Sequence, residues 1–390
     1  MIVRLRNYSN IEEAKREWKR LGLPDVAESE IDLYALSFFF VESRDAADLD
    51  SLSCVVEELG GDAFRFSAGG LERAMLVFEH GVLQNPSCLS PVEDRLRPLW
   101  DSLSHYLSPK PKLWKFAGGE LELSAPLVMG ILNVTPDSFS DGGLYLSKED
   151  AVRRALEMEA EGASIIDVGG ESTRPYAKMV TLEEEMKRVL PVVEELVDRL
   201  RVPISVDTRR HQVAKAALEA GASIINDVEG LRDARMAEVV ADARAGVVLM
   251  HMQGQPESMQ DDPRYVDVIG DISLFLKERM QAARAIGVRE DAMVIDPGIG
   301  FGKDLNHNLQ IVMRLRELRC LGRPILLGAS RKSFIGKVLG VEPKDRKEGS
   351  LAIATVAMMH GADIIRAHDV KETVMVAKMI DAVRRADSYG

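Results

Sequence analysis

Eight short apolar runs, spaced by helical segments, constrain this chain more than any other feature of its sequence. They are Leu127–Leu132, Ser164–Val168, Ile204–Val206, Ser223–Ile225, Val247–Met250, Met293–Ile295, Pro324–Leu327 and Asp363–Ile365. Each has the length of a strand and lacks polar alternation, as a strand covered on both faces does. The segments between them are amphipathic. Lys148 to Glu161 turns Ala151, Ala155, Met158 and Ala160 inward, with Ser147 placed as its cap. Strand and helix alternating in this way predict a parallel sheet, and eight such units close a (β/α)8 barrel of about 250 residues. An open, doubly wound sheet is the competing topology. It ranks lower because no Gly-x-Gly-x-x-Gly follows the first run.

The endings of the runs carry the chemistry. The first ends at Asn133 and passes into Val134-Thr135-Pro136-Asp137-Ser138, with Gly142-Gly143 further along. The second ends Asp167-Val168-Gly169-Gly170-Glu171-Ser172-Thr173-Arg174-Pro175. The third and fourth end Asp207-Thr208 and Asn226-Asp227, and the fifth Met250-His251-Met252. The sixth runs Asp296-Pro297-Gly298-Ile299-Gly300-Phe301-Gly302-Lys303. The seventh runs Gly328-Ala329-Ser330-Arg331-Lys332-Ser333, and the eighth Arg366-Ala367-His368-Asp369. Any one of these serves equally well as a cap or a turn. Eight at one rim exceed what turns require, because burying charge without purpose is costly, and in a parallel barrel that rim holds the active site.

The rest of the chain narrows the classes. At 390 residues it has room for a barrel at 123–390 and a smaller mixed α/β domain at 1–122. In the latter, helices are expected at Ile11–Arg20, Leu49–Leu59, Leu71–Phe78 and Val92–Leu107, a strand at Ala35–Val41, and a linker at 108–112. That domain shows no catalytic pattern, so packing or oligomerisation is its expected role. Trp100, Tyr106, Trp114 and Phe116 are expected to pack in a core. A net charge of -12 argues against a general nucleic-acid binder. No apolar run reaches the length of a membrane span, and the N-terminus lacks a secretory pattern. The three cysteines, Cys54, Cys88 and Cys320, have no metal-ligand spacing, which fits a reducing cytoplasm.

In order and content, Asn133–Gly143, Gly169–Pro175, Asp296–Lys303, Ser330–Ser333 and Arg366–Val370 resemble the motifs of the dihydropteroate synthases, a family of pterin-binding barrels. The similarity covers about residues 126 to 383. It implies a transferase of the alkyl/aryl-transfer class. Such an enzyme joins 6-hydroxymethyl-7,8-dihydropterin pyrophosphate to p-aminobenzoate and releases pyrophosphate in folate biosynthesis. A homodimer is expected by the same resemblance.

The residues suit that chemistry. A pterin presents adjacent N–H donors on its 2-amino-4-oxo edge, and carboxylates accept such a pair in parallel bonds. Asp296 is the first candidate, with Asp207 and Asn226 completing the edge, Lys332 donating to ring acceptors and Gly328 beside them. Met252 and Phe301 can wall the ring. Arg366 and His368, one pleat apart, stand with Lys332 as a cationic pocket for pyrophosphate. Asn133 and Thr173 complete that end. Asn133 also offers an oxygen to Mg2+, which keeps waters and takes substrate phosphates as its other ligands. Asp137 is expected to stabilise a pterin-methyl cation. Thr173, Arg174, Pro175 and Ser333 are expected to shape the p-aminobenzoate side, with Arg174 also reaching pyrophosphate. Tyr176 stands where the family usually has a small Gly, which predicts altered sulfonamide affinity. The alternative is a methyltransferase of the same barrel group that uses methyltetrahydrofolate. It needs the pterin carboxylates but not the pyrophosphate pocket.

Overall fold

The computed structural model describes residues 2–6, 36–43, 47, 49–50, 53, 62–68, 71–79, 113–134, 147–171, 180–254 and 259–386. The chain divides into two compact units, one of Met1–Lys110 with Tyr265–Leu274 and Glu317–Gly322, the other holding the remainder. In the first, β1 (Ile2–Arg6), β2 (Leu36–Ser43), β3 (Asp62–Ala68) and β4 (Leu71–Glu79) form an antiparallel sheet in the order β1-β2-β4-β3. The strand expected near Ala35–Val41 is β2. Leu71–Phe78, expected as a helix, is instead an interior strand of this sheet, paired with β2 and β3 on its two sides. Its Leu, Glu, Arg, Ala and Met favour helix intrinsically, but ladders on both edges override so weak a preference. The helices expected at Ile11–Arg20 and Val92–Leu107 lie outside the described residues.

The second unit opens with a hairpin, β5 (Leu113–Phe116) and β6 (Gly119–Glu122). Eight parallel strands follow: β7 (Leu127–Asn133), β8 (Ile165–Gly169), β9 (Ile204–Asp207), β10 (Ile224–Asp227), β11 (Gly246–Met250), β12 (Met293–Asp296), β13 (Leu326–Leu327) and β14 (Ile364–Ala367). They pair in the order β12-β11-β10-β9-β8-β7-β14-β13, and a bridge between Ile295 and Ile325 closes the ring. All eight expected strands are present, displaced by a residue or two. Several displacements have one sense, because Asn133, Asp207, Asp227 and Asp296 are themselves the last residues of their strands. The helices are α1 (Lys148–Ala160), α2 (Leu182–Val197), α3 (His211–Glu219), α4 (Ala234–Asp242), α5 (Val268–Ile286), α6 (Leu305–Met313), α7 (Ser333–Leu339), α8 (Lys347–Met359) and α9 (Val370–Arg384). Ser147 caps α1 through the Asp150 amide at 3.1 Å. That helix buries Ala151, Val152, Ala155 and Met158, whereas Ala160, expected inward, is exposed at its end.

The inward positions change character along the strands. Met129, Ile165, Ile224, Val248, Val294, Leu326 and Ile364 form one apolar layer. Trp114, Phe116 and Leu123 join it, so the hairpin seals this end of the barrel. Trp114 is fully buried and its Nε1 donates to the Ala292 carbonyl at 2.8 Å. Its packing places the hairpin in the barrel unit, ahead of the boundary expected at residue 123. Side chains repeat on one face every second residue. Two residues further along, the same columns carry Ile131, Asp167, Asn226, Met250, Asp296, Gly328 and Arg366. One pleat therefore separates a dry floor from a charged layer.

Candidate active site

The charged layer is built on a two-to-one pairing of acids with an arginine. Arg366 on β14 donates Nε to Asp167 Oδ2 at 2.6 Å and Nη2 to Asp207 Oδ2 at 2.7 Å. Asp167 Oδ2 also accepts the Asn226 Nδ2 at 3.1 Å. The other oxygens, Oδ1 of Asp167 and of Asp207, are buried with no hydrogen-bond partner among the described residues. A buried acceptor left unpaired costs about 1–3 kcal/mol, so such atoms mark places where a donor from elsewhere belongs. Burial outweighs the attraction of Arg366 and raises Asp207 to about 7.

Local turns are satisfied without using up these acids. After β9, it is Thr208 that accepts the Arg210 amide at 3.1 Å, which leaves Asp207 for Arg366. After β12, Asp296 Oδ1 accepts the Gly298 amide at 2.7 Å, while its Oδ2 lies toward the site beside Gly328 and Arg366. Burial raises Asp296 above its usual range, against the pull of Lys332. Asp227 differs, because both of its oxygens accept backbone amides, of Glu229 at 2.9 Å and Leu231 at 2.7 Å. It is a turn residue, which is why it does not join Asn226 in the site.

The loop after β12 needs its glycines. Gly298 has φ of +69°, and a Cβ there would stand 1.9 Å from the His251 carbonyl oxygen. This compact turn brings Phe301 against Val228, Met250, Met252 and Met259. Met252 and Phe301 thus furnish one apolar wall. Lys332 reaches back from the start of α7, donates to the Ile299 carbonyl, and sets Nζ 4.5 Å from the centre of the Phe301 ring. Burial lowers it to about 8 against the pull of Asp296. Lys303 props the same loop from behind, with Nζ 2.9 Å from the Phe301 carbonyl and 3.0 Å from His251 Nδ1. Burial depresses both of these basic groups.

The turn after β13 is held firmly. Arg331 adopts φ of +56°, a conformation few non-glycine residues take. It pairs with both oxygens of Asp369, at 2.6 and 3.0 Å. Its amide donates to Ser350 Oγ at 2.8 Å. Beside it, His368 Nδ1 lies 3.0 Å from Ser330 Oγ. Ser333 is exposed at the first position of α7. Asn133 stands at the end of β7 opposite Gly169, where an added Cβ would lie 3.6 Å from Asn133 Oδ1 and from Asp207 Cβ. Asn133, Asp207, Asn226, Asp296, Gly328, Lys332, Arg366 and His368 are all placed at the strand ends of one rim, with Met252 and Phe301 in the loops above it. Asp137, Thr173, Arg174, Pro175, Tyr176 and Gly142-Gly143 lie outside the described residues.

Two groups escaped the sequence reading. One is Asp167, whose signal was a carboxylate inside the apolar run Ile165-Ile166-Asp167-Val168: an acid that deep requires a partner. The other frames the loop that follows β8. Arg209 and Arg210 both pair with Glu171, at 3.1 and 3.2 Å. Arg210 also pairs with the buried Glu185 and donates to the Val180 carbonyl at 2.6 Å. Val180 in turn donates its amide to Glu171 Oε1 at 3.2 Å. Residues 171 and 180 are thus tied together at the rim.

Comparison with known proteins agrees with the geometry. The family described as pterin binding enzyme matches residues 129–368. Dihydropteroate synthase of Escherichia coli (strain K12) is 49% identical over 269 residues, covering 69% of this chain and 95% of that protein. Among solved structures, Xanthomonas albilineans dihydropteroate synthase with 4-aminobenzoic acid superposes with a TM-score of 0.66 at 46% identity, over 70% of this chain and 99% of that one. The Burkholderia cenocepacia enzyme complexed with 7,8-dihydropteroate also gives 0.66, at 43% identity, over 72% and 99%. The chain therefore belongs to the dihydropteroate synthase family of pterin-binding enzymes.

Proposed function

We propose that this chain condenses 6-hydroxymethyl-7,8-dihydropterin pyrophosphate with p-aminobenzoate, forming 7,8-dihydropteroate and releasing pyrophosphate. One observation carries the reading at the level of residues. A single inward layer sets Asp207, Asn226 and Asp296 together with Lys332, and the Asp207 carboxylate keeps a buried acceptor without a donor. The relatives above are synthases that hold p-aminobenzoate and dihydropteroate, which sets aside the methyltransferase reading. Supplying both substrates with Mg2+ and measuring dihydropteroate and pyrophosphate tests the activity. Wild-type protein that forms neither ends the proposal.

The arylamine is a weak nucleophile, because its lone pair is delocalised into the ring. The C–O bond to pyrophosphate therefore breaks early and takes the electron pair with the leaving group. The amine nitrogen then bonds to the methylene carbon and loses its proton. Asp207, Asn226 and Asp296 fix the pterin edge, and the negative charge of the two carboxylates favours the cation that forms. Phe301 and the methionines beside it exclude water from the ring. Arg366 spends Nε and one Nη2 hydrogen on Asp167 and Asp207, so its Nη1 and second Nη2 hydrogens are what it has left for the diphosphate, alongside His368, Asn133 and Thr173. Asp137 stabilises the developing cation, and Thr173, Arg174, Pro175 and Ser333 receive p-aminobenzoate.

Asn133 fits magnesium as a neutral oxygen donor at the rim. Among the described residues no three His, Cys, Asp or Glu side chains gather as a metal cage. That donor set suits an ion carried largely by substrate phosphates. Magnesium, when bound, neutralises charge on the departing diphosphate.

We also propose a homodimer. Helices α6 to α9 expose the large apolar side chains Met313, Val338, Leu339, Met359, Met375 and Met379, which a second copy would cover. No described helix is long and apolar enough to cross a membrane, and a cytoplasmic site of action suits the substrates. Residues 1–110, the part of the expected N-terminal domain that lies outside the barrel unit, are proposed as a packing or oligomerisation module, tested by deleting up to about Lys112 and measuring mass and activity.

A further inference from the structure

Asp167 makes no turn and caps no helix, yet its side chain is entirely buried in the charged layer. Its Oδ2 takes two donors from different strands, Asn226 Nδ2 at 3.1 Å and Arg366 Nε at 2.6 Å. Each bond removes a freedom that pterin capture cannot tolerate. An asparagine amide has two faces of similar shape and opposite polarity, one an acceptor and one a double donor. Asp167 is a pure acceptor when ionised, so only Nδ2 can face it. Asn226 Oδ1 is then turned away from Asp167, as an acceptor for the N–H donors of a guest. The arginine fork is planar and rigid. With Nε held by Asp167, Nη2 falls on Asp207 Oδ2 at 2.7 Å and leaves Asp207 Oδ1 without a protein donor.

We propose that Asp167 is a positioning residue for pterin recognition: it sets the amide orientation of Asn226 and the register of Arg366, so that Asn226 Oδ1 and Asp207 Oδ1 both present acceptors to the pterin. It acts through its neighbours and need not touch the substrate. The inference rests on the assignment of this layer to the pterin. It also explains why a third acid stands where two would match the guest's donors. Without Asp167, the neighbouring Asp207 would draw the Asn226 N–H groups and turn the amide over.

The test removes the shared acceptor and then gives it back. Three proteins are compared: wild type, Asp167→Ala and Asp167→Asn. The dissociation constant for 6-hydroxymethylpterin is measured by calorimetry, KM is measured for both substrates, and the thermal midpoint of each protein is recorded. In Asp167→Ala the pterin constant is expected to rise about 10- to 100-fold, the range of one lost charge-assisted hydrogen bond, while KM for p-aminobenzoate stays within twofold. Asp167→Asn keeps an amide oxygen that can stand where Oδ2 does and accept from both Asn226 Nδ2 and Arg366 Nε. Its pterin constant should therefore return to within about fivefold of wild type.

A purely structural role would lower the thermal midpoint and disturb both substrates alike. Wild-type pterin affinity in Asp167→Ala, equal losses for the two substrates, or a folded Asp167→Asn as weak as Asp167→Ala would each overturn the proposal. If Asp167→Ala does not fold, Asp167→Asn decides alone: near-normal pterin binding supports the inference and lost binding in the folded protein ends it. Pterin binding is read without turnover, so a wild-type protein that binds pterin but makes no dihydropteroate would refute the activity and leave this inference standing.

Discussion

The two ends of the barrel are built from the same strands, one pleat apart, and solve opposite problems. At the hairpin end, Met129, Ile165, Ile224, Val248, Val294 and Ile364 meet Trp114 and Phe116, the Trp114 indole nitrogen finds the Ala292 carbonyl, and Ser205, one pleat before Asp207, keeps a single buried hydroxyl. At the other end Asp167, Asp207, Asn226, Asp296 and Arg366 replace those side chains, with two carboxylate oxygens unpaired. The first arrangement gains stability by excluding water. The second gives up stability to keep acceptors ready for a guest. The difference teaches that the dry end bears the cost of holding charge at the functional one.

The comparison breaks most directly at Trp114. Trp114→Ala should cost about 3–5 kcal/mol of stability and leave KM for both substrates close to wild type in the folded fraction. Denaturant unfolding and steady-state kinetics check the two halves. A large rise in KM would show that the ends are not separable. At the charged end, Asp296→Ala and Lys332→Ala should each weaken pterin binding by about 2–5 kcal/mol, the cost of leaving the other buried charge alone, as read by calorimetry. Asp137→Ala should keep pterin binding and lose turnover by about 100-fold or more; retained turnover would refute its role.

The pH response sharpens the contrast further. Pterin capture requires Asp207 ionised and Lys332 charged. With Asp207 raised to about 7 and Lys332 lowered to about 8, kcat/KM for the pterin should rise through the first value and fall beyond the second. The raised Asp207 also means that the fold holds its proton more tightly than the unfolded chain does. Its contribution to stability is therefore present below about 4 and lost as pH climbs to about 7, measurable as a falling thermal midpoint without substrate. The smallest effect concerns the surface. Met375→Glu with Met379→Glu should convert a dimer to monomer in sedimentation and shift stability by about 0.5 kcal/mol or less per site.

The barrel was legible because buried parallel strands are written as unbroken apolar runs, and Val247–Met250 can be little else. Asp207, Asp296 and Lys332 were legible as charges at the ends of such runs. Asp167 was not singled out, because its partner Arg366 lies 199 residues away and nothing local announces the pairing. For the same reason Arg366 read as a cation for diphosphate, when two of its nitrogens serve carboxylates. Leu71–Phe78 read as helix because single residues there favour helix, while the two flanking strands that decide its state are tertiary facts.

Closure of the ring is uneven. Most neighbouring strands share ladders of three to five paired residues, but β12 and β13 meet through the single Ile295–Ile325 bridge, aided by the Ile295 amide donating to the Pro324 carbonyl at 2.9 Å. This thin seam lies between the strands that lead to Asp296 and to Lys332. A guest gripped by both would act as a rivet across the weakest join of the cylinder. The amide proton of Ile295 should then exchange faster than those of β8 or β9 in the empty protein, and slow most when the pterin arrives.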